Sequence, residues 1–349
     1  MMEFLNAAGP RQPGERKRMI NAAIVGLGWW GKHIIGSLAE SDKIGIVLAV
    51  DVDVDKAREF AAGKGIGLTA DLGDALSDPA IDAVILATPH SFHEEQILAA
   101  ATAGKHVFCE KPLCLTKASA ERAIKACESA GLTLGVGHER RYEPALAEIK
   151  RMADAGEFGE IMHVESNFSH DKLADVDPKD WRASKSDAPA AGMTGMGIHL
   201  TDAYVSMFGA VDSVFAQTAR RVLPWETGDV VSVSLRFKSG ATGFVNAILA
   251  TPLYIGFRVF GSEAWAEARN PTHPDTVGPT SLTVCRKGGE PETQHFEWRD
   301  TVRMNFEAFA DAVEGRAPYP NTNEQKLWNI ATFEAVVASA ESGDAVKVG

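Results

Sequence analysis

Short apolar runs alternate with amphipathic segments over roughly the first 136 residues. The apolar runs lie at 21–26, 44–50, 82–88, 106–109 and 133–136. They are continuously apolar, which is typical of strands covered on both faces. Segments with helical spacing lie between them, at 29–40, 53–62, 71–76, 91–103 and 116–130. Strands that alternate with helices predict an α/β fold with a doubly wound parallel sheet.

The pattern changes after about His138. Strands are predicted at 161–169, 213–221, 230–238, 241–249 and 257–260, and helices at 144–155, 194–208, 302–314 and 324–342. Several of these strands alternate apolar and polar residues, as at Val231, Val233 and Leu235. Alternation indicates one covered face, and Ser239-Gly240 is typical of a tight hairpin turn. We therefore expect a second α+β domain with a large, mostly antiparallel sheet.

The length of 349 residues favours two domains. We expect a flexible tail over 1–20, a first domain over 21–138 and a second over 139–349. The tail is polar and rich in Gly, Pro and Arg, without the apolar core of a secretory signal. Met19 is a possible alternative start of the chain.

Composition excludes several classes of protein. With 35 Lys and Arg against 47 Asp and Glu, the net charge is −12, which argues against a nucleic-acid partner. No run of 18 apolar residues is present, so we expect no membrane span. The four cysteines, Cys109, Cys114, Cys127 and Cys285, do not form a disulfide scaffold in a chain of this length. A cytoplasmic, reducing location fits this composition.

A glycine-rich loop follows the first strand. Gly26-Leu27-Gly28-Trp29-Trp30-Gly31 has the form G-x-G-x-x-G and opens a predicted helix, and Asp51 ends the next strand 20 residues after Gly31. In a Rossmann domain the glycines allow a tight turn and close approach of a pyrophosphate, and the acidic residue binds the ribose hydroxyls. A carboxylate at Asp51 repels a 2′-phosphate and Val52 offers no cation, so NAD is favoured over NADP.

Lys111 directly follows the apolar strand His106–Cys109. It should therefore lie at the carboxyl edge of the parallel sheet, where such sheets bind ligands. Pro112 disfavours a helical conformation at Lys111. A lysine partly desolvated beside a nicotinamide would have a lowered pKa and could exchange a proton with a substrate hydroxyl. A plain surface lysine is the alternative interpretation.

Several motifs occur in order and together resemble the glucose–fructose oxidoreductase, inositol dehydrogenase and rhizopine-catabolism oxidoreductase family (Gfo/Idh/MocA). Besides the glycine loop, these motifs are Ala87-Thr88-Pro89 with His93, Ala103-Gly104-Lys105-His106-Val107, Glu110-Lys111-Pro112, Arg140-Arg141-Tyr142-Glu143-Pro144, Trp181-Arg182 and Gly197-Ile198-His199-Leu200-Thr201-Asp202. The resemblance spans nearly the whole chain after the tail.

The resemblance implies hydride exchange between a tightly held NAD and a hydroxyl-bearing carbon of a sugar, polyol or related compound. It implies that Lys111 serves as the proton-transfer group and that His199 assists it. The nicotinamide would lie near Thr88, Pro89, His93, Glu110 and Lys111. Candidates for the substrate pocket are Tyr142, Arg182, His199 and Asp202. The first domain would bind NAD, and the second would bind substrate and mediate oligomerisation.

The chain departs from the family at one position. The family's second motif is D-x-x-x-H-x-x-D, and the aspartate expected four residues before His199 is Gly195. His199 must then be oriented by another group, or a different residue binds that substrate hydroxyl. Asp202 lies one helical turn after His199 and is a candidate for steering it.

Two other functions remain open from the sequence. A redox-assisted lyase or glycosidase would oxidise and re-reduce one carbon with no net change in tightly bound NAD. A non-catalytic NAD-binding sensor would explain the missing carboxylate at Gly195. We expect no metal, because hydride transfer to NAD needs none and only His90 and His93 have a suitable spacing. An apolar sheet face left free predicts a homodimer or homotetramer.

Overall fold

The computed structural model describes residues 18–349. Most of the expected tail, residues 1–17, therefore lies outside the described residues. Within 18–349, no helix has both the length and the apolar composition needed to cross a lipid bilayer.

The first sheet has six strands, all parallel, in the order β3-β2-β1-β4-β5-β6. The strands are β1 (Ile20–Val25), β2 (Ile44–Val50), β3 (Gly67–Thr69), β4 (Ala83–Leu86), β5 (His106–Cys109) and β6 (Leu134–Val136). The central residues of β1, β4, β5 and β6 are buried, as the continuous apolar runs predicted, whereas β2 is partly exposed at its centre, where Val47 is 40% exposed. The predicted doubly wound parallel sheet is confirmed.

Five helices connect these strands: α1 (Trp29–Ser37), α2 (Val54–Lys64), α3 (Leu72–Ser77), α4 (His93–Thr102) and α5 (Lys117–Ser129). Polar side chains define where several begin. Asp53 accepts a hydrogen bond from the backbone N–H of Lys56, and Thr116 accepts one from that of Ser119. Such caps satisfy N–H groups that the first helical turn leaves free.

The second sheet has nine strands in the order β14-β13-β12-β11-β7-β10-β9-β8-β15. They are β7 (Ile161–Ser169), β8 (Val211–Ala219), β9 (Val230–Phe237), β10 (Thr242–Ile248), β11 (Tyr254–Gly261), β12 (Ala264–Asn270), β13 (Thr280–Arg286), β14 (Glu292–Phe296) and β15 (Val346–Lys347). Only β7 and β10 pair in parallel, and all other neighbours are antiparallel. The predicted mostly antiparallel sheet is confirmed.

Four more helices complete the chain: α6 (Pro144–Asp154), α7 (Ile198–Phe208), α8 (Thr301–Val313) and α9 (Asn323–Ser342). The single helix predicted over 194–208 was wrong in its first turn, because Met193–Gly197 forms a π-helical turn before α7. The strands β3, β12, β13, β14 and β15 were not predicted from the sequence. Three of them have a weak hydrophobic pattern: β3 and β15 are only three and two residues long, and β14 is mostly polar and exposed.

Helix α8 packs against the first sheet although it follows the second in sequence. Phe306 stacks on Phe108 of β5 with ring centroids 3.8 Å apart, and Phe309 meets the same ring edge-on at 5.5 Å. All three side chains are fully buried. The aromatic cluster therefore joins the end of the chain to the parallel sheet.

Replacing Phe306 with Ala should lower the free energy of unfolding by about 3–5 kcal/mol, because it empties a buried aromatic site that the sheet cannot refill. Chemical denaturation of the purified variant measures this. The control is Val277→Ala, since Val277 is 72% exposed and its loss should change stability by no more than about 0.5 kcal/mol. Equal stability of the two variants would contradict this role of α8.

Candidate active site

One cleft lies where strand ends of both sheets meet. From the first sheet, the segments after β4, β5 and β6 supply Thr88, Lys111 and Glu139. From the second, β7 and β10 run in parallel, so His170 and Leu249 follow them at the same edge. Counting the part open to solvent, the cleft encloses about 1150 Å³. Open α/β sheets bind ligands at this kind of edge.

The glycine loop opens one side of the cleft and fits a bound pyrophosphate. Gly26 has φ +97°, and a Cβ there would lie 2.6 Å from the carbonyl oxygen of Ala87. A Cβ on Gly31 would collide with the carbonyl oxygen of Gly26, whereas one on Gly28 would meet no atom within 4 Å. The loop is thus packed tightly at Gly26 and Gly31 and open at Gly28, at the N-terminus of α1, where free N–H groups favour an anion.

Asp51 ends β2 beside this loop. Its Oδ2 accepts a hydrogen bond from the backbone N–H of Leu27 at 2.7 Å, and its Oδ1 accepts one from that of Asp53 at 2.8 Å. These bonds fix the carboxylate while leaving further lone pairs on both oxygens. Val52 is 93% exposed and adds no charge. The arrangement fits ribose hydroxyls better than a phosphate.

Lys111 lies in the wall of the cleft, and the Lys111–Pro112 peptide bond is cis. Its Nζ donates a hydrogen bond to the carbonyl oxygen of Gly195, 2.7 Å away. Burial lowers the pKa of Lys111, while the nearby carboxyls of Glu110 and Glu139 act in the opposite direction. The interpretation of Lys111 as a plain surface lysine is therefore wrong.

Two buried carboxyls flank Lys111. Burial raises the pKa of Glu110 to about 7 and that of Glu139 to about 8, where the proximity of Glu110 adds to the effect. A Cβ on Gly137 would lie 2.6 Å from the Cδ atom of Glu110. A glycine is therefore required there for the Glu110 carboxyl to pack against the end of β6.

His199 faces this group from the start of α7. Its Nε2 lies 3.9 Å from Oε1 of Glu139, and its Nδ1 is buried without a hydrogen-bond partner among the described residues. Burial lowers the pKa of His199 well below its usual value, and the charge of Lys111 adds to this. A neutral imidazole at this position can accept or donate a hydrogen bond to a ligand.

His93 is placed behind the cleft rather than in its lining. Its ring is fully buried, with Nε2 3.1 Å from the carbonyl oxygen of Thr88 and Nδ1 2.8 Å from that of Pro112. It therefore bridges the segments that follow β4 and β5. Thr88 lies in the cleft lining, and its hydroxyl donates a hydrogen bond to Oε1 of Gln96 at 2.7 Å.

Asp202 and Tyr142 also lie outside the cleft lining. Asp202 forms a bidentate ion pair with Arg141, at 2.6 and 2.7 Å. The same carboxylate lies 3.8 Å from Nε2 of His138. The structure therefore gives Asp202 a partner other than His199, namely Arg141 of the turn that also carries Glu139. Arg182 does line the cleft, and its guanidinium stacks on Trp181 at 4.1 Å.

Several residues that line the cleft were not predicted from the sequence. They are Glu139, Phe168, His170, Lys172, Leu173, Trp225, Leu249, His273 and Pro274. Most lie next to strand ends of the second sheet, far apart in the chain, so no local motif marks them. The direction of each strand is the signal that would have found them. His90, considered only as a metal ligand, also lines the cleft, and its Nδ1 lies 2.6 Å from the carbonyl oxygen of Asp187.

No group of three or more His, Cys, Asp or Glu residues is placed to hold a metal ion within residues 18–349. The donor set suits a dinucleotide instead. The glycine loop, which is open at Gly28, lies beside the fixed carboxylate of Asp51. The amine of Lys111 lies at the carboxyl edge of the same sheet.

Comparison with known proteins agrees with this geometry. Residues 20–138 match the model of the GFO/IDH/MocA oxidoreductase family with an NAD-binding Rossmann fold, and residues 146–267 match the family's C-terminal domain. The chain is 31% identical over 309 residues to D-xylose 1-dehydrogenase (NADP(+)) 2 of Haloferax volcanii, covering 84% of this chain and 90% of that protein.

A second relative is 1,5-anhydro-D-fructose reductase of Ensifer adhaerens, with 27% identity over 332 residues, 91% of this chain and 98% of that protein. Among solved structures, levoglucosan dehydrogenase in complex with NADH and levoglucosan shares the fold with a TM-score of 0.83 at 22% identity, covering 95% of this chain and 100% of that one. An aldose-aldose oxidoreductase from Caulobacter crescentus has a TM-score of 0.84 at 24% identity, with the same coverage.

The matches to both domain models, and a relative above 30% identity along most of the chain, confirm the resemblance and the expected class of NAD(P)-dependent dehydrogenase or reductase. The chain belongs to the Gfo/Idh/MocA family of oxidoreductases.

Proposed function

We propose that this protein is an NAD-dependent oxidoreductase that transfers hydride between nicotinamide and a hydroxyl-bearing carbon of a sugar, polyol or related compound. Lys111 is the proton-transfer group. The observation that carries the proposal is the Lys111 amine, partly desolvated in the cleft wall and held in place by the carbonyl of Gly195. Such an amine can exchange a proton near neutral pH.

The glycine loop from Gly26 to Gly31, together with Asp51 and Val52, would hold the diphosphate and the adenosine ribose. The nicotinamide would lie beside Thr88, Pro89, Glu110 and Lys111. His93, behind the cleft, would hold the segments after β4 and β5 together. When bound, the dinucleotide supplies the hydride acceptor, which the side chains of the protein cannot. All other steps belong to residues of this chain.

Oxidation requires a base for the hydroxyl proton. Lys111 can take it only as a neutral amine, and burial increases the neutral fraction. His199, also neutral, can bind the same hydroxyl or its neighbour. Trp181 and Trp225 form aromatic walls of the cleft, and we expect much of the rate to come from the positioning of the reacting groups.

The lining favours a polyhydroxylated ring as substrate. Most of the wall is apolar and aromatic, and a few polar groups such as Arg182 and His170 converge on the cleft. Pockets of this kind bind the apolar faces of a ligand and orient it through a few hydrogen bonds. The relatives named after D-xylose and 1,5-anhydro-D-fructose support this class of substrate.

Replacing Lys111 with Ala should lower kcat by at least about 10²-fold, because the proton-transfer group is lost. NADH binding, followed by fluorescence, should stay unchanged. A screen of sugars, polyols and sugar acids at 340 nm first identifies a substrate. Lys117→Ala is the control, since Lys117 lies outside the cleft and pairs with Glu121.

Near wild-type turnover of Lys111→Ala would contradict the assignment. Product formed with no net NADH would favour the redox-assisted lyase or glycosidase. NADH binding without conversion of any compound in the panel would favour the sensor.

We assign NAD as the preferred cofactor, because the Asp51 carboxylate would repel a 2′-phosphate. Replacing Asp51 with Asn should weaken NAD binding about tenfold, since hydrogen bonds to a charged acceptor are lost, and should weaken NADP binding less. Titration with both dinucleotides measures the ratio. The exposed Asp55→Asn should leave the ratio unchanged, and tighter binding of NADP than of NAD to the wild type would contradict the assignment.

We propose that the open face of the second sheet forms a homodimer or homotetramer interface. Met162, Phe215, Phe244 and Tyr254 are exposed there, on four strands of one sheet. An apolar surface of this kind is typical of association. Light scattering after size-exclusion chromatography should give at least twice the monomer mass, and Phe244→Glu should reduce it. A wild-type monomer at micromolar concentration would contradict the proposal.

We place the enzyme in the cytoplasm. Within the described residues all four cysteines are free thiols, three of them buried, which fits a reducing compartment.

A further inference from the structure

Glu139 is a buried residue for which the sequence predicted no role. It follows β6 and faces the cleft between Lys111 and His199. Its Oε1 lies 3.9 Å from Nε2 of His199, and its Oε2 is buried without a hydrogen-bond partner among residues 18–349. A buried carboxyl oxygen without a partner is costly unless a ligand or a neighbouring group engages it.

The other carboxyls near His199 are already engaged or fixed. Asp202 is bound in a bidentate manner by Arg141, and Glu110 is packed against Gly137 at the end of β6. Position 195, one turn before His199, is a glycine, and a Cβ there would find no atom closer than 4.0 Å. Glu139 is therefore the carboxyl placed to act on His199, and it does so from the segment that follows β6.

We propose that Glu139 is a positioning residue of the reaction, whose carboxyl orients His199 and stabilises the ammonium form of Lys111. The inference rests on the proposed function. During oxidation the hydroxyl proton passes to Nζ of Lys111 while hydride leaves the same carbon for the nicotinamide. The new positive charge then lies near the buried Glu139 carboxyl, favours its ionisation and is stabilised by the carboxylate.

The charges around Glu139 fit this role. Glu110 and Lys111 face it from the segment after β5, Arg140 from its own segment and His199 from α7. Burial and the proximity of Glu110 raise the pKa of Glu139 to about 8, against the opposing effects of Lys111 and Arg140. Glu139 in turn raises the pKa of Lys111 against the effect of burial. The ionisation of Glu139 and that of Lys111 therefore depend on each other.

Glu139→Gln keeps the shape and removes the carboxyl that can ionise beside Lys111. We expect kcat for oxidation to fall about 10–100-fold with an unchanged dissociation constant for NADH. Because Glu139 raises the pKa of Lys111, its loss should also move the acidic limb of the kcat pH profile to lower pH. Glu148→Gln is the control: Glu148 lies on α6 outside the cleft and pairs with Arg151, so its variant should keep the wild-type pH profile.

A double-mutant cycle tests whether Glu139 acts through His199. In a His199→Asn background, Glu139→Gln should cost less in kcat than in the wild type, because only its effect on Lys111 remains. Thermal unfolding and NADH fluorescence confirm that each variant is folded and binds the cofactor. A Glu139→Gln enzyme with wild-type kcat and pH profile, an undiminished loss in the His199→Asn background, or a variant that loses NADH binding as well as activity would each overturn the proposal.

These outcomes separate the inference from the proposed function. If the wild type converts a polyol and Glu139→Gln behaves identically, only the role of Glu139 fails. If the wild type binds NADH and converts no compound of the panel, the proposed function fails.

Discussion

The structure depends on keeping a lysine amine at the junction of two sheets. Lys111 follows a strand of the first sheet, and its Nζ donates to a carbonyl in the π-helical turn of the second domain, 2.7 Å away. A buried ammonium is stable only where hydrogen bonds and opposite charges compensate its lost hydration. The Gly195 carbonyl, with Glu110 and Glu139 nearby, provides both.

The same requirement explains the unusual backbone around it. The carbonyl of Gly195 that accepts from Lys111 lies in a π-helical turn, and such turns are frequent at functional sites. The glycine also leaves the adjoining part of the cleft open. His93 holds the segments after β4 and β5 together from behind. Hydrogen bonds to backbone carbonyls thus fix Lys111 and His93 more than contacts between side chains do.

Local sequence predicted much of the first domain. Continuous apolar runs and the glycine loop each leave a local signal, and the structure contains the strands and the tight turn that they predicted. The motif around Lys111 predicted that its amine lies at the carboxyl edge of the parallel sheet, which is where the structure has it. These features depend on short stretches of chain, in which period and turn chemistry decide the outcome.

The rest depends on contacts between distant residues. The second wall of the cleft is assembled from strand ends whose alignment follows from the single parallel pairing of β7 with β10, and no local pattern shows that pairing. The sequence also offered Asp202 as a partner for His199 by helical spacing. In the structure Arg141 holds Asp202, since a bidentate ion pair compensates burial better than a neutral imidazole does.

A crystal structure of the protein with NAD would show whether the dinucleotide occupies this cleft. We expect the diphosphate on the N–H groups of Trp29 and Trp30, and the nicotinamide in the cleft with its C4 facing the space beside Nζ of Lys111. A dinucleotide bound elsewhere, or a Lys111 amine directed away from the ring into solvent, would contradict this expectation.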